Sequence, residues 1–283
     1  MKFSEAIEKF MKLQKAETSE GNHRYLKDKF KIILTYLGEY DCSSIDEYVV
    51  ADFTQAQKER NPSISISSLN KYRALVKRVL KNICNQEIAV KKLKENKKTI
   101  EVVDQVTIDK IFSYYKQHLE SENKLKYYLL FRLLLNTGLR INELLHVKVG
   151  DVDFKINTIH VRITKTNEER WVFYDNETSI ILQSYIFKYL IRGYIFQRAD
   201  GSPMEYKTIQ KSITRLKRAL NIKKSISPHK WRHTFATNYI MNGGDTASLQ
   251  KILGHSNLST TERYLHLNLD LLRKRYLEVM NDK

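Results

Sequence analysis

Cysteine, proline and glycine are scarce in this chain of 283 residues, which contains two, three and nine of them. The two cysteines, Cys42 and Cys84, lie far apart and have no Cys or His neighbour at metal-ligand spacing. Reduced, packed thiols are therefore expected rather than a disulfide or a zinc site. No apolar run is long enough to span a membrane, and the charged start MKFSEAIEKFMK does not resemble a signal peptide. These absences predict a cytoplasmic protein with no metal and no membrane partner.

Acidic residues are also few relative to basic ones. The chain has 32 Asp and Glu but 49 Lys and Arg, which gives a net charge of +17. Such an excess indicates a polyanionic partner, because each cation placed near a phosphate releases a condensed counterion. Nucleic acid is the first candidate. The sequence has no GxxxxGK[ST] loop, so no nucleotide site is expected. A hydrophobic content of 42% with regular apolar spacing predicts a folded chain with room for two domains.

The chain before residue 90 has the apolar period of helices, which predicts a small bundle with helices at 3–16, 24–37, 45–58 and 66–83. Cations lie mostly off the apolar stripe of the last helix, and they are Lys71, Arg73, Lys77, Arg78 and Lys81. These five residues are candidate DNA contacts. A solvated outer helix surface is the alternative, because lysine-rich outer faces are common.

Five lysines between residues 91 and 98 mark the next segment, which is poor in aromatic residues and lies between two periodic regions. We expect residues 91–103 to form an exposed basic linker. Residues 1–90 would then form a helical DNA-binding domain, and residues 104–283 a second domain. Both halves of the chain are basic, as binding around DNA requires.

The second domain combines helical and strand patterns. Helices are predicted at 108–119 and 124–136, the latter ended by Gly138 as a C-cap. Ile159, Val161 and Ile163 alternate with polar residues and predict a strand, with 171–174 returning as its partner after a turn at 164–170. Helical periodicity resumes at residue 178. The fold class is therefore mainly α with a small β-sheet.

Two segments, TGLRINELLHVKVGDVD and SPHKWRHTFATNYIMNGGDTASLQKILGHSNLSTTERYLH, resemble the tyrosine recombinase (phage integrase) family. The family's first arginine matches Arg140, its His-x-x-Arg matches His229 and Arg232, and its Leu-Gly-His matches His255. The family's tyrosine matches Tyr264, nine residues later. Four separated elements in the right order are more specific than any single motif, and the resemblance covers the second domain.

The resemblance implies attack of a tyrosine on a DNA phosphodiester, and the matched side chains suit this chemistry. Charge builds on the nonbridging oxygens during attack, and two fixed guanidiniums, Arg140 and Arg232, can meet it with paired donors. His255 would add a donor, and His229 would assist proton movement at the tyrosine. Tyr264 must lose its proton, since a phenol has an ordinary pKa of about 10. The products are a 3′-phosphotyrosine and a free 5′-hydroxyl.

The leaving oxygen needs a proton, which the family takes from a lysine in a β-hairpin turn. Here that lysine would be Lys165, although Thr164 and Thr166 stand where the family commonly has glycines. Because the protein linkage keeps the phosphoester bond, resealing needs no cofactor, neither ATP nor metal. Glu143, one helical turn from Arg140, is expected to orient the site, and His233 to support packing.

The resemblance also implies the architecture and the assembly. A two-domain, C-shaped clamp, with an N-terminal core-binding domain and a catalytic domain, would hold double-stranded DNA. A homodimer would bind the inverted arms of one site, and a homotetramer would synapse two sites and exchange strands through a Holliday junction. An apolar stripe of Leu269, Leu272, Tyr276 and Met280 is predicted to dock on a neighbouring subunit, although a monomer could fold it back.

The biological role stays open at this point. A chain of this length leaves no room for the arm-binding domain of many phage integrases, which favours Xer-like recombinases or tyrosine-type transposon resolvases that resolve dimers or cointegrates. Integration or excision of a mobile element is an alternative. A type IB topoisomerase would share the catalytic residues without synapsis. A noncatalytic DNA-binding protein is a further class, and the intact residue set argues against it.

Overall fold

The computed structural model describes residues 1–95, 100–162 and 169–255, together with residues 257, 261, 264, 273, 277 and 280. The chain divides into two compact units, Met1–Lys98 and Thr99–Lys283. Lys165 and most of the predicted docking stripe lie outside the described residues. Across the described ranges, no helix combines the length and apolar character needed to cross a bilayer.

The first unit contains the four predicted helices. They are α1 (Phe3–Glu17), α2 (Glu20–Leu37), α3 (Glu47–Arg60) and α4 (Ile66–Cys84). Side chains of Ser19, Asp46 and Ser65 accept hydrogen bonds from backbone amides at the starts of α2, α3 and α4. These N-caps satisfy donors that a helix leaves unpaired. The core behind them is aromatic, with Phe10 and Phe30 packed edge to face at 5.8 Å between ring centroids.

The second unit holds the remaining elements. Its helices are α5 (Gln105–Lys116), α6 (Glu122–Thr137), α7 (Ile141–Leu145), α8 (Asn176–Lys188), α9 (Tyr206–Ala219), α10 (Pro228–Met241) and α11 (Thr246–Leu253). Its strands are β1 (Val152–Asp153), β2 (Thr158–Val161) and β3 (Arg170–Phe173). They form an antiparallel sheet in the order β1-β2-β3, with Ile159 opposite Val172. The predicted fold class, mainly α with a small sheet, is confirmed.

Helix α6 lies at the centre of this unit and is apolar on most of its surface, as expected of a buried helix. Helix α10 packs on it through Trp231, which is fully buried and lies 5.0 Å from the ring of Phe131. Gly138 ends α6 with a φ of +62°, and a Cβ there would lie 2.3 Å from the ring of Phe235. Only glycine therefore fits this sharp turn, which leads the chain directly into Arg140 at the start of α7.

Candidate active site

Arg140 is held by Glu143, one turn further along α7. The Arg140 side chain donates from Nη1 to Glu143 Oε1 at 2.8 Å, and its backbone amide donates to Oε2 at 2.9 Å. A second guanidinium nitrogen, Nη2, donates to the backbone carbonyl of Gly254 at 3.2 Å. Fixing the side chain at two points and its backbone at a third removes most of the freedom that the side chain would otherwise lose on binding a phosphate. The predicted orienting role of Glu143 is consistent with these contacts.

Arg232 lies on α10 and is buried, with 5% of its surface exposed. Its two terminal nitrogens donate to the backbone carbonyls of Gly138 and Leu253, each at 2.7 Å. These carbonyls are at the C-terminal ends of α6 and α11, where unpaired oxygens carry partial negative charge. Burial and the neighbouring Arg140 lower the pKa of Arg232, while Glu143 and Tyr264 act in the opposite direction. A guanidinium remains protonated at neutral pH under such conditions.

A third guanidinium, Arg170, belongs to the same cluster and was missed by the sequence patterns, which placed it in a turn. Arg170 begins β3 and donates to both carboxylate oxygens of Glu143, at 2.7 and 3.3 Å. Its Nε also donates to the carbonyl of Ile252 at 2.7 Å. The side chains of Arg170 and Glu143 are 8% and 5% exposed, so this is a buried ion pair. Burial alone would raise the pKa of Glu143, but Arg170 and Arg140 hold it below the ordinary value.

All three guanidiniums donate hydrogen bonds to the C-terminus of α11. Three successive carbonyls accept one hydrogen bond each, with Ile252 paired to Arg170, Leu253 to Arg232, and Gly254 to Arg140. Gly254 has a φ of +63°, and a Cβ at this position would lie 3.1 Å from the Arg170 side chain. The negative end of a helix thus stabilises positive charges that would otherwise repel one another.

Two imidazoles lie within the field of these cations. Burial, with the charges of Arg232 and Arg140, lowers the pKa of His229. Burial and the same two guanidiniums, with smaller contributions from Arg170 and a neighbouring histidine, lower the pKa of His255 to about 4. Both rings are therefore neutral at physiological pH, and each can donate one hydrogen bond and accept one. His255 Nδ1 lies 2.9 Å from Oγ1 of Thr261.

We expect this depressed pKa to make the protein lose stability in acid. A histidine whose folded pKa lies below its ordinary value of about 6.5 binds a proton more readily when unfolded. Stability should therefore fall as the pH drops from about 6.5 toward the folded value of His255, about 4. His255→Gln should flatten this part of a urea-denaturation pH profile, while His118→Gln, at an exposed site, should not. Superimposable profiles for wild type and His255→Gln would contradict the prediction.

Tyr264 is the candidate nucleophile and is buried, with 3% of its surface exposed. Its ring belongs to an apolar cluster that includes Ala236, Ile240, Leu249 and Leu253. Its hydroxyl lies 2.7 Å from Nδ1 of His233, a polar contact that the expectation of simple packing for His233 did not include. The backbone amide of Tyr264 donates to the carbonyl of Thr261, whose hydroxyl contacts His255.

The structure brings five of the six predicted catalytic residues together. Arg140, His229, Arg232 and His255 share one cationic cluster, and Tyr264 lies close enough to Arg232 to influence its pKa. The sixth, Lys165, lies outside the described residues. Over the described part of the chain, no group of three or more His, Cys, Asp or Glu side chains is arranged to hold a metal ion.

The five candidate DNA contacts of α4 differ in how much they contribute to the fold. Arg73 donates to Thr54 Oγ1 and to the carbonyl of Lys91, each at 2.9 Å, which ties α4 to α3 and to the chain that follows. Arg78 donates to Gln14 at 2.8 Å and lies 5.1 Å from the ring of Phe10.

Arg78 is nevertheless exposed, as are the other three cations of α4. Lys81 forms an ion pair with Glu87, and Lys71 and Lys77 also lie at the surface. A cavity of about 220 Å³ beside α4 has four cations in its lining, namely Arg73, Lys77, Lys91 and Lys92. The part of α4 that lines this cavity is more open to a phosphate than the part around Arg78, because the Arg78 side chain is already bound to α1.

Comparison with known proteins places these observations in a family. The model of the phage integrase family matches residues 101–270. Tyrosine recombinase XerA of Saccharolobus solfataricus is 35% identical over 255 residues, covering 90% of this chain and 81% of that protein. Tyrosine recombinase XerC of Oceanobacillus iheyensis is 33% identical over 158 residues, covering 53% of this chain and 52% of that protein. The alignment with XerC therefore spans about half the length of that relative.

Solved structures share the fold. The Tn1549 transposon integrase in complex with transposon right end DNA has a TM-score of 0.82 at 19% identity, covering 99% of this chain and 100% of that chain. A lambda integrase dimer bound to a COC′ core site has a TM-score of 0.75 at 16% identity, covering 93% and 95%. The family model matches more than half of the chain, and the XerA alignment covers most of both proteins. The chain therefore belongs to the phage integrase family of tyrosine recombinases.

Proposed function

We propose that this DNA strand-transferring enzyme cuts and rejoins specific DNA sites through a 3′-phosphotyrosine at Tyr264. The observation that carries the proposal is the convergence of Arg140 and Arg232, from different helices, on carbonyls of the same helix terminus, with the Tyr264 phenol in the adjoining cluster. A phosphodiester bound there would meet donors that are already oriented. Preorganised donors of this kind supply the largest part of the rate enhancement in many enzymes.

The proposed steps assign tasks to five of the six predicted catalytic residues, and the sixth, His229, is predicted to assist proton movement at the tyrosine. Arg140, Arg232 and His255 stabilise the charge on the nonbridging oxygens as the Tyr264 oxygen attacks phosphorus. The bond to the 5′-oxygen breaks, and Lys165 protonates that oxygen. Because the phosphotyrosine keeps the energy of the phosphodiester, a new 5′-hydroxyl can reseal the strand without an external energy source.

We propose that the reaction resolves dimers or transposon cointegrates. The similarity to tyrosine recombinase XerA over most of the chain supports site-specific recombination, and the fold shared with the Tn1549 transposon integrase supports an association with a transposon. In this proposal a homodimer occupies the inverted arms of one site and a homotetramer synapses two sites. The stripe of Leu269, Leu272 and Tyr276 lies outside the described residues, and Met280 is exposed. We propose that this stripe docks on a neighbouring subunit. Integration or excision of a mobile element is the alternative role.

The test is joining of two differently labelled duplexes that carry the target site. The site can be recovered from a pool of random duplexes, nicked so that covalent complexes accumulate, by isolating the DNA attached to protein. Recombinant duplexes carrying both labels are the expected product. Relaxation of supercoiled DNA with no exchange of labels would instead indicate a topoisomerase of the same family chemistry.

Residues of the first unit are proposed to bind the DNA backbone through α4. Lys77→Ala should lower affinity and reduce the slope of log K against log salt by about one, because one phosphate contact is lost. Arg78→Ala is the matched control, since its partners Gln14 and Phe10 belong to the fold and its loss should lower the melting temperature instead. Fluorescence anisotropy across a salt series measures the slope. An unchanged slope for Lys77→Ala would remove this lysine from the interface.

A further inference from the structure

The phenol of Tyr264 has a hydrogen-bonding partner on α10 that does not belong to the set of catalytic residues predicted above. The Tyr264 hydroxyl lies 2.7 Å from Nδ1 of His233, and the two rings are 5.8 Å apart between centroids. A general base must lie within about 2.6–3.2 Å of the proton it removes, and this contact meets that condition. His229, the family's candidate for this task, lies one turn earlier on the same helix.

The position of His233 follows from the packing of α10. Ala236 and Ile240 come three and seven residues after His233, so all three share one face of the helix. The two apolar residues contribute to the cluster around the Tyr264 ring, and His233 meets the polar end of that ring. Arg232, the preceding residue, fixes the rotation of α10 through its two buried hydrogen bonds.

We propose that His233 is a further catalytic residue that holds the Tyr264 phenol in this pocket and accepts its proton during attack on the DNA phosphate. The O–H bond of Tyr264 breaks, its proton passes to Nδ1 of His233, and the phenol oxygen forms a bond to phosphorus. The bond from phosphorus to the 5′-oxygen breaks, and that oxygen keeps the electron pair of the broken bond and takes a proton from Lys165. The imidazolium of His233 returns its proton to the phenolate oxygen when the strand is resealed. This inference rests on the proposed function.

A neighbouring positive charge favours loss of the phenol proton. Tyr264 lies close enough to the guanidinium of Arg232 to influence the pKa of that group. This cation stabilises the phenolate that forms as the proton leaves. Burial of the phenol excludes bulk water, which strengthens this electrostatic effect.

Two substitutions separate proton acceptance from positioning. In His233→Asn the amide oxygen can take the place of Nδ1 and accept the hydrogen bond, but it cannot accept a proton at neutral pH. His233→Ala removes both abilities. We expect both variants to bind DNA normally and to cleave a suicide substrate about 10²- to 10⁴-fold more slowly in single turnover. His118→Asn, at an exposed site in the same unit, is the control and should cleave at the wild-type rate.

Two results with these variants would overturn the proposal. Cleavage at the wild-type rate by His233→Ala would exclude a catalytic role for this residue. If only His233→Asn cleaved at the wild-type rate, His233 would position the phenol without accepting its proton.

A substrate with a 5′-bridging sulfur, which leaves without protonation, gives a further test. The His233→Ala defect should persist with this substrate while a Lys165→Ala defect shrinks. If His233→Ala cleaved the sulfur substrate at the wild-type rate, His233 would instead act by protonating the leaving group.

The hydrogen bond itself can be measured without DNA. In protein labelled with ¹⁵N-histidine, Tyr264→Phe should shift the ring-nitrogen resonance that His233→Asn deletes, and an unmoved resonance would contradict the contact. This readout also separates the two proposals. If Tyr264→Phe still formed a covalent adduct, the proposed function would fail, whereas the His233 resonance would still report the hydrogen bond.

Discussion

Replacing Arg232 with lysine should slow first-strand cleavage on the order of 10²- to 10³-fold while DNA affinity changes only slightly. Arginine has a planar fork of donors, and two of its nitrogens already bind the carbonyls of Gly138 and Leu253. A lysine ammonium is a single point charge and cannot hold both carbonyls while also meeting a phosphate oxygen. Single-turnover cleavage of a suicide substrate measures the effect.

The control for this prediction is Arg218→Lys, because Arg218 is exposed on α9. It changes the same chemical group outside the cluster and should cleave at the wild-type rate. If Arg232→Lys cleaved DNA within threefold of the wild-type rate, the paired donors of the Arg232 guanidinium would not stabilise the transition state.

Glu143→Ala should lower the free energy of unfolding by about 3–5 kcal/mol. This carboxylate neutralises Arg140 and Arg170 in a buried site, and its removal leaves two guanidiniums without a counter-ion. Their mutual repulsion then adds to the cost of keeping each charge away from water. Urea denaturation of the full chain at neutral pH measures the loss.

A second carboxylate of the same unit supplies the comparison. Glu122 pairs with Lys126 at 2.9 Å, but about half of its side chain is exposed. Glu122→Ala should therefore cost no more than about 1 kcal/mol. Equal losses for the two variants would contradict the view that Glu143 holds the arginine cluster together.

Local patterns in the sequence predict most of the helices. Helix α4 begins at Ile66 as predicted, because Ser65 caps it and its apolar residues repeat with the helical period. Helix α2 begins at Glu20, four residues before the predicted start, and includes Gly21 in its first turn. A glycine costs a helix only about 1 kcal/mol, and the Ser19 cap helps to offset that cost.

The catalytic residues that belong to sequence motifs could be predicted from the order of those motifs. Residues that join the site only through long-range contacts could not. Arg170 binds Glu143, which lies 27 residues away, and His233 binds Tyr264, which lies 31 residues away. Nothing in the sequence around either residue indicates its partner. The α11 carbonyls that bind the arginines are backbone groups, so the residue types at these positions do not indicate their role.

Charge patterning has a similar limit on α4. The sequence shows that Arg73 and Arg78 lie off the apolar stripe, but it cannot show that one binds α3 and the other α1. Long cationic side chains reach across neighbouring helices, so their role depends on the tertiary packing. Exposure at Lys71 and Lys77 could likewise be read only from the folded chain.

Mass spectrometry of the protein–DNA complex trapped on a suicide substrate tests the central claim most directly. After digestion with trypsin, one peptide should carry the DNA strand through its 3′-phosphate on the oxygen of Tyr264, and Tyr264→Phe should yield no such peptide while still binding DNA. A strand attached to any other residue, or an undiminished adduct with Tyr264→Phe, would contradict the account.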